Sequence, residues 1–231
     1  MTLTMDTARA CARAVASEHG CVIVDPADAR PWLSLLEGAL ALIPGSAPVL
    51  ASARSAVEGA ASSVAGLTIP SPWGSAILLT ERATADAATY LSTAMHEATH
   101  GTDAADVGAG QAVVDYLNAE LRALREGGPG GVGLWTRYLV TGERPKPEDA
   151  GVVASTLYHL DADSRRFGGG IVRVSLASID SGAVPPFRVA RSVLAWLRAN
   201  APADVLAPEY AERPITRRTA EPLVIDDEGD D

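Results

Sequence analysis

The chain has 231 residues, room for one domain of ordinary size with a short appendage, and its 47% hydrophobic and 21% charged composition is normal for a globular protein. The net charge is −10 and no basic stripe stands out, which argues against nucleic acid as the main ligand. Aromatic residues make up only 5%, so the core must be mostly Ala, Val and Leu, a composition that suits closely packed helices.

Residues 5–19 read as a helix with Ala and Val on one face. Asp6, Arg9, Arg13 and Glu18 interrupt this Ala-rich start, so it does not read as a signal peptide. No stretch reaches transmembrane length without a charge, and the chain is expected to be cytoplasmic with no membrane partner. Cys11 and Cys21 are too few for a disulfide scaffold and form no CxxC site; two buried thiols are expected. Cys21–Val24 reads as a short strand stopped by Asp25-Pro26. Pro31 to Leu42 and Val49 to Ala65 have helical character, and Ile69-Pro70-Ser71-Pro72 reads as a breaker. Ala76–Leu79 is a strand, residues 84–101 a helix. A further helical part is broken at Gly127-Gly128-Pro129-Gly130-Gly131 and resumes from Val132 to Val140, stopping at Thr141-Gly142. Residues 150–160, 171–180 and 186–199 read as helical, the last opened by Pro185-Pro186 and carrying Val189, Val193 and Trp196. One domain is expected over 1–205. A Pro-rich and then acidic, disordered tail is expected over 206–231, with Asp226, Asp227, Glu228, Asp230 and Asp231 at its end.

The window from Thr84 to His100 is the most informative. Ala87, Leu91, Ala94, Met95 and Ala98 form one apolar helix face, while Thr89, Ser92, Thr93, His96 and His100 form a polar stripe beside it. One face packs on a core and the other lines a cleft. His96 and His100 stand four residues apart, about 400° of helix turn, so both imidazoles point the same way and suit one tetrahedral Zn²⁺. Glu97 lies one residue on, off the line of the two rings. It is expected to take a proton, as general base, from a water that the zinc makes acidic.

His96-Glu97-Ala98-Thr99-His100, at the C-terminal end of a helix that follows the strand Ala76–Leu79, resembles the HExxH motif of the zincin metallopeptidases. The resemblance implies zinc as cofactor, hydrolysis of a peptide or protein substrate, and a strand beside the metal helix that borders the cleft. From Arg122 through Trp135 and Thr141-Gly142 to Tyr158 the chain is also similar to small, mostly uncharacterised HExxH proteins of bacteria and phages.

Two histidines need a third protein ligand. Asp106 stands six residues after His100, the metzincin spacing, but Asp103 occupies the turn position that takes Gly in that group. Asp115 is near enough to face the pair. Glu120 follows His100 by the spacing of thermolysin-like gluzincins, though next to Asn118 it also fits the first turn of a helix. The likeness to the small HExxH proteins favours Glu126, a Glu shortly before a Trp and a Thr-Gly stop, although Gly127 and Gly128 follow at once. His159 and Tyr158 are candidates for steadying an oxyanion, with a structural role as the plainer reading. Gly168-Gly169-Gly170 lacks the context of a phosphate loop.

The expected fold is α+β, mostly helical, with a small sheet whose edge lines a zincin-like metal helix. The expected activity is zinc-dependent peptide hydrolysis, with His96, His100 and Glu126 holding the metal and Glu97 as base. The alternatives are a protein that keeps the HExxH helix for structure or metal binding alone, and an accessory protein acting through protein contacts.

Overall fold

Three short strands organise the chain, and the central one carries the longest apolar run. In the computed structural model, which describes residues 2–41, 43, 45–58, 65–71, 74–107, 128–146, 172 and 175–211, β1 (Cys21–Val24), β2 (Gly66–Ser71) and β3 (Gly74–Leu79) form a mixed sheet. The order is β1-β3-β2, with β1 parallel and β2 antiparallel to β3. Ala76-Ile77-Leu78-Leu79 is buried throughout because β3 is covered on both faces. Ile77 and Leu79 join the larger core cluster, and Ala76 and Leu78 the smaller one. Two-residue alternation thus divides the core into two layers.

The smaller layer is made by α2 (Ala29–Leu40) and α3 (Ala47–Val57), through Leu33, Leu36, Leu40 and Ala53. The larger holds α1 (Met5–Glu18), α4 (Ala87–Val107), α5 (Gly128–Thr141) and α6 (Arg188–Asn200). Thr4 caps α1 by accepting from the Thr7 N–H, and Ala8, Cys11, Ala12, Val15 and Ala16 form its buried face. Both cysteines are free and buried. Burial pushes the Cys11 thiol up to about 12 and Cys21 up to about 11, so neither is a thiolate at neutral pH.

The chain is therefore α+β, mostly helical with a small mixed sheet among the described residues. Three local expectations change. The stretch read as a breaker at Ile69-Pro70 belongs to β2, which tolerates Pro70 because it is an edge strand whose outer side needs no donor. The glycine cluster does not interrupt α5, which starts at Gly128 with Pro129 in its first turn, where a missing N–H costs nothing. Past position 205, the expected end of the domain, Leu206, Ala207 and Tyr210 are still buried in the larger core. The expected helix at 150–160 and the acidic tail from 212 onward lie outside the described residues. No helix among the described residues is long and apolar enough to cross a membrane.

Candidate metal centre

The position of α4 is set at both ends of its inner face. Asp86 begins it, accepting from the Thr89 N–H at 2.8 Å and from the Thr89 hydroxyl at 2.6 Å. Burial pushes the Asp86 carboxyl up, but the Thr89 hydrogen bonds, the Arg137 charge and the Ala88 N–H together outweigh it and hold it below its ordinary value. Leu91, Ala94, Met95 and Ala98 are fully buried, the apolar face that the periodicity predicts. At Gly101 the helix backbone touches the sheet so closely that a Cβ there would overlap Cys21 Sγ and lie 3.3 Å from Ser75 Cβ.

The polar stripe runs between β2 on one side and α5 on the other. Thr89, Ser92, Thr93 and His96 are half-buried, and His100 is buried. Gly133 of α5 lies against His96: a Cβ on Gly133 would stand 3.3 Å from the Ser92 carbonyl oxygen and 3.4 Å from His96 Cβ. One turn later, Arg137 Nη1 donates to Thr89 Oγ1 at 3.3 Å. As α5 advances, its contacts retreat along α4, so the two helices are antiparallel. Gly128 is five residues before Gly133, about 7.5 Å of helix, which carries the start of α5 to the level of His100.

His96 Nε2 and His100 Nε2 converge to 3.1 Å. The rings meet edge to face, their centroids 4.8 Å apart. Two nitrogens held by one tetrahedral zinc at its usual bond length are about 3.3 Å apart. The separation of the two nitrogens is therefore close to the one that a shared tetrahedral cation requires. Without a metal, the same distance is a hydrogen bond from one neutral imidazole to the other.

Glu97 faces a different neighbour. Its side chain is 9% exposed, and it lies under β2. Thr68 Oγ1 stands 2.8 Å from Glu97 Oε2 and 2.8 Å from the Glu97 carbonyl oxygen. Oε1 is 3.9 Å from His96 Nε2. A carboxylate oxygen is thus set beside the His96 ring, farther from its Nε2 than a hydrogen bond.

Of the sequence-predicted residues, His96, Glu97 and His100 come together. Helix α4 does not turn at Asp103 but continues to Val107, so the Asp106 position is carried about 9 Å along the axis beyond His100 and about 120° round from it. The metzincin-type placement of Asp106 fails for that reason. Asp115, Glu120 and Glu126, like Tyr158, His159 and the Gly168–Gly170 run, lie outside the described residues. Among the described residues no group of three His, Cys, Asp or Glu side chains could hold a metal ion. The strand beside the site is β2, not β3, which occupies the middle of the sheet. Thr68, Gly66 and Gly133 were not singled out from the sequence. The alternation Leu67-Thr68-Ile69 was the signal for Thr68, obscured by the prolines that follow it.

Comparison with protein-family models, with curated proteins and with solved structures returns no match for this chain.

Proposed function

We propose that the chain is a zinc-dependent peptidase in which His96 and His100 hold the metal, Glu126 completes the ligand set and Glu97 is the general base. The observation that carries this reading is the 3.1 Å convergence of the two Nε2 atoms with a Glu97 oxygen 3.9 Å from one of them. A bound zinc would supply Lewis acidity to a scissile carbonyl and to water. His96 and His100 bind through Nε2 as neutral imidazoles. Glu97 takes the proton of the attacking water on Oε1, holds it beside the imidazoles, and returns it to the departing amine nitrogen. Glu126 enters on the likeness to the small HExxH proteins, as a Glu shortly before a Trp and a Thr-Gly stop. The peptide would lie along the polar stripe of α4, beside β2.

The test is a pair of variants. The purified protein should hold about one equivalent of zinc, one such site's capacity. Glu97→Gln should keep that zinc while hydrolysis of a susceptible peptide falls by about two to four orders of magnitude. His100→Ala should lose zinc and activity together, and Glu126→Ala should weaken zinc where Asp115→Ala and Glu120→Ala do not. A protein that stays metal-free after incubation with zinc sinks the proposal. Zinc bound by a wild type that cleaves nothing in a broad peptide library would put the non-catalytic metal-binding reading ahead, a reading favoured by the burial of His100 and Glu97.

A further inference from the structure

The edge strand β2 does more than border the His pair. Its inward positions, Gly66 and Thr68, are two residues apart and so share a face. Their cross-strand partners on β3 are Leu79 and Ile77, both buried in the larger core, so the register fixes which way Gly66 and Thr68 look. They look at Glu97. A Cβ on Gly66 would come within 2.9 Å of Glu97 Cγ and 3.3 Å of Oε1, so only glycine leaves room for the carboxylate. Thr68, itself buried, puts Oγ1 at 2.8 Å from Oε2.

We propose that Thr68 is the positioning residue of Glu97: its hydroxyl, carried on β2, holds Oε2 so that Oε1 faces the His96–His100 pair. This rests on Glu97 being the general base. A glutamate has three rotatable bonds, and residue 97 projects about 100° round the helix from His96, so its position on the helix does not by itself fix where the carboxylate goes. Thr68 supplies a constraint from outside the helix. It is β-branched and stiff at its first torsion, so the hydroxyl is set in place by the strand backbone. One hydroxyl proton serves two acceptors, the carbonyl oxygen and Oε2. Donation to the ionised carboxylate is the stronger of the two, being charge-assisted. The same contact pins the edge of the sheet to the metal helix, which makes the distance from Glu97 to the histidines a property of how β2 packs.

The experiment compares Thr68→Val, which keeps the shape and loses the hydroxyl, with Thr68→Ser, which keeps the hydroxyl, in the full-length chain. A double-mutant cycle of Thr68→Val with Glu97→Gln is first read on urea unfolding of protein stripped of metal with a chelator. The two changes should couple by about tenfold or more in the unfolding constant, the worth of a hydrogen bond to a charged group. Zinc-loaded Thr68→Val should then hold one equivalent of zinc and lose about ten- to a hundredfold in kcat with KM little changed, and Thr68→Ser should recover most of it. Absence of coupling in the metal-free protein overturns the proposal whatever the protein cleaves. Coupling with a wild-type kcat in Thr68→Val also overturns it, since the contact is then only a brace between β2 and α4. A wild type that binds zinc, shows the coupling and cleaves nothing counts against the peptidase reading itself and removes the catalytic purpose of the contact with it.

Discussion

His19 is a side chain whose protonation bears directly on the packing of two helices. It follows α1, and its Nε2 lies 3.0 Å from Ser192 Oγ on α6, whose hydroxyl in turn donates to Glu18 Oε1 at 3.0 Å. Burial lowers the His19 pKa below its ordinary 6.5, Glu18 raises it, Arg188 lowers it, and the net shift is downward. The folded state therefore binds this proton less readily than the unfolded chain. Its contribution to stability is complete above about pH 6.5 and is lost as pH falls through the lowered folded value. Thermal unfolding followed from pH 7.5 to 5 should show the midpoint dropping, and His19→Gln should drop less over that interval. Because His19 is half-buried the effect is modest; identical profiles for the two proteins would mean that its protonation is not felt by the fold.

At the level of elements, α4 is pressed from two sides: Gly101 stands against β1 and β3 with no room for a Cβ, and Gly133 of α5 stands against Ser92 and His96 with little to spare. Replacing glycine by alanine inside a helix ordinarily gains about 1 kcal/mol in propensity. At Gly101 the added carbon overlaps Cys21 Sγ, a short and buried side chain with little room to move. Overpacking of that kind costs about 1–3 kcal/mol and wins over the propensity gain. Gly101→Ala should lower the urea midpoint, and adding Cys21→Ala should restore part of the loss by removing the clashing sulfur. A stabilised Gly101→Ala would show that α4 can slide on the sheet. Helix limits and apolar faces were largely legible from periodicity: α1, β1 and α6 fall within a residue or two of expectation. β2 and the start of α5 were not, because Pro and Gly read locally as breakers, while an edge strand and a helix's first turn are the places that accept them.

On the scale of the whole molecule, the first and last stretches of the described residues are tied into the fold by buried aromatic side chains. Asp25, at the end of β1, accepts from Arg13 on α1 at 2.6 Å and from Tyr90 on α4 at 2.7 Å, and Tyr90 is raised by its burial first and by Asp25 beside it. At the other end, Tyr210 accepts from Trp135 Nε1 at 3.1 Å, and its carbonyl oxygen takes two hydrogen bonds from Arg198, at 2.8 and 2.6 Å. A chain ending at Val205 would lose Leu206, Ala207 and Tyr210 from the core; removing one large buried aromatic alone costs about 3–5 kcal/mol. A chain ending at Ala211 keeps all of these contacts. Urea denaturation should therefore separate the two truncations clearly, with the shorter one strongly destabilised; equal midpoints would show that the segment after 205 contributes nothing.

The sequence was sufficient for whatever depends on a few consecutive residues. The amphipathic face of α4 and the alignment of His96 with His100 follow from helix geometry, which repeats within a turn and needs no partner. The surroundings of that pair come from distant chain. Thr68 reaches Glu97 across 29 positions, and Gly133 reaches His96 from another helix. Their contacts exist because β2 pairs with β3 in one register and α5 packs antiparallel on α4. Strand register and helix packing are set by burial of whole faces, Ile77 and Leu79 on one side of the sheet and Ala76 and Leu78 on the other. An isolated HExxH helix would present two imidazoles; only the folded sheet brings the Thr68 hydroxyl to the carboxylate beside them.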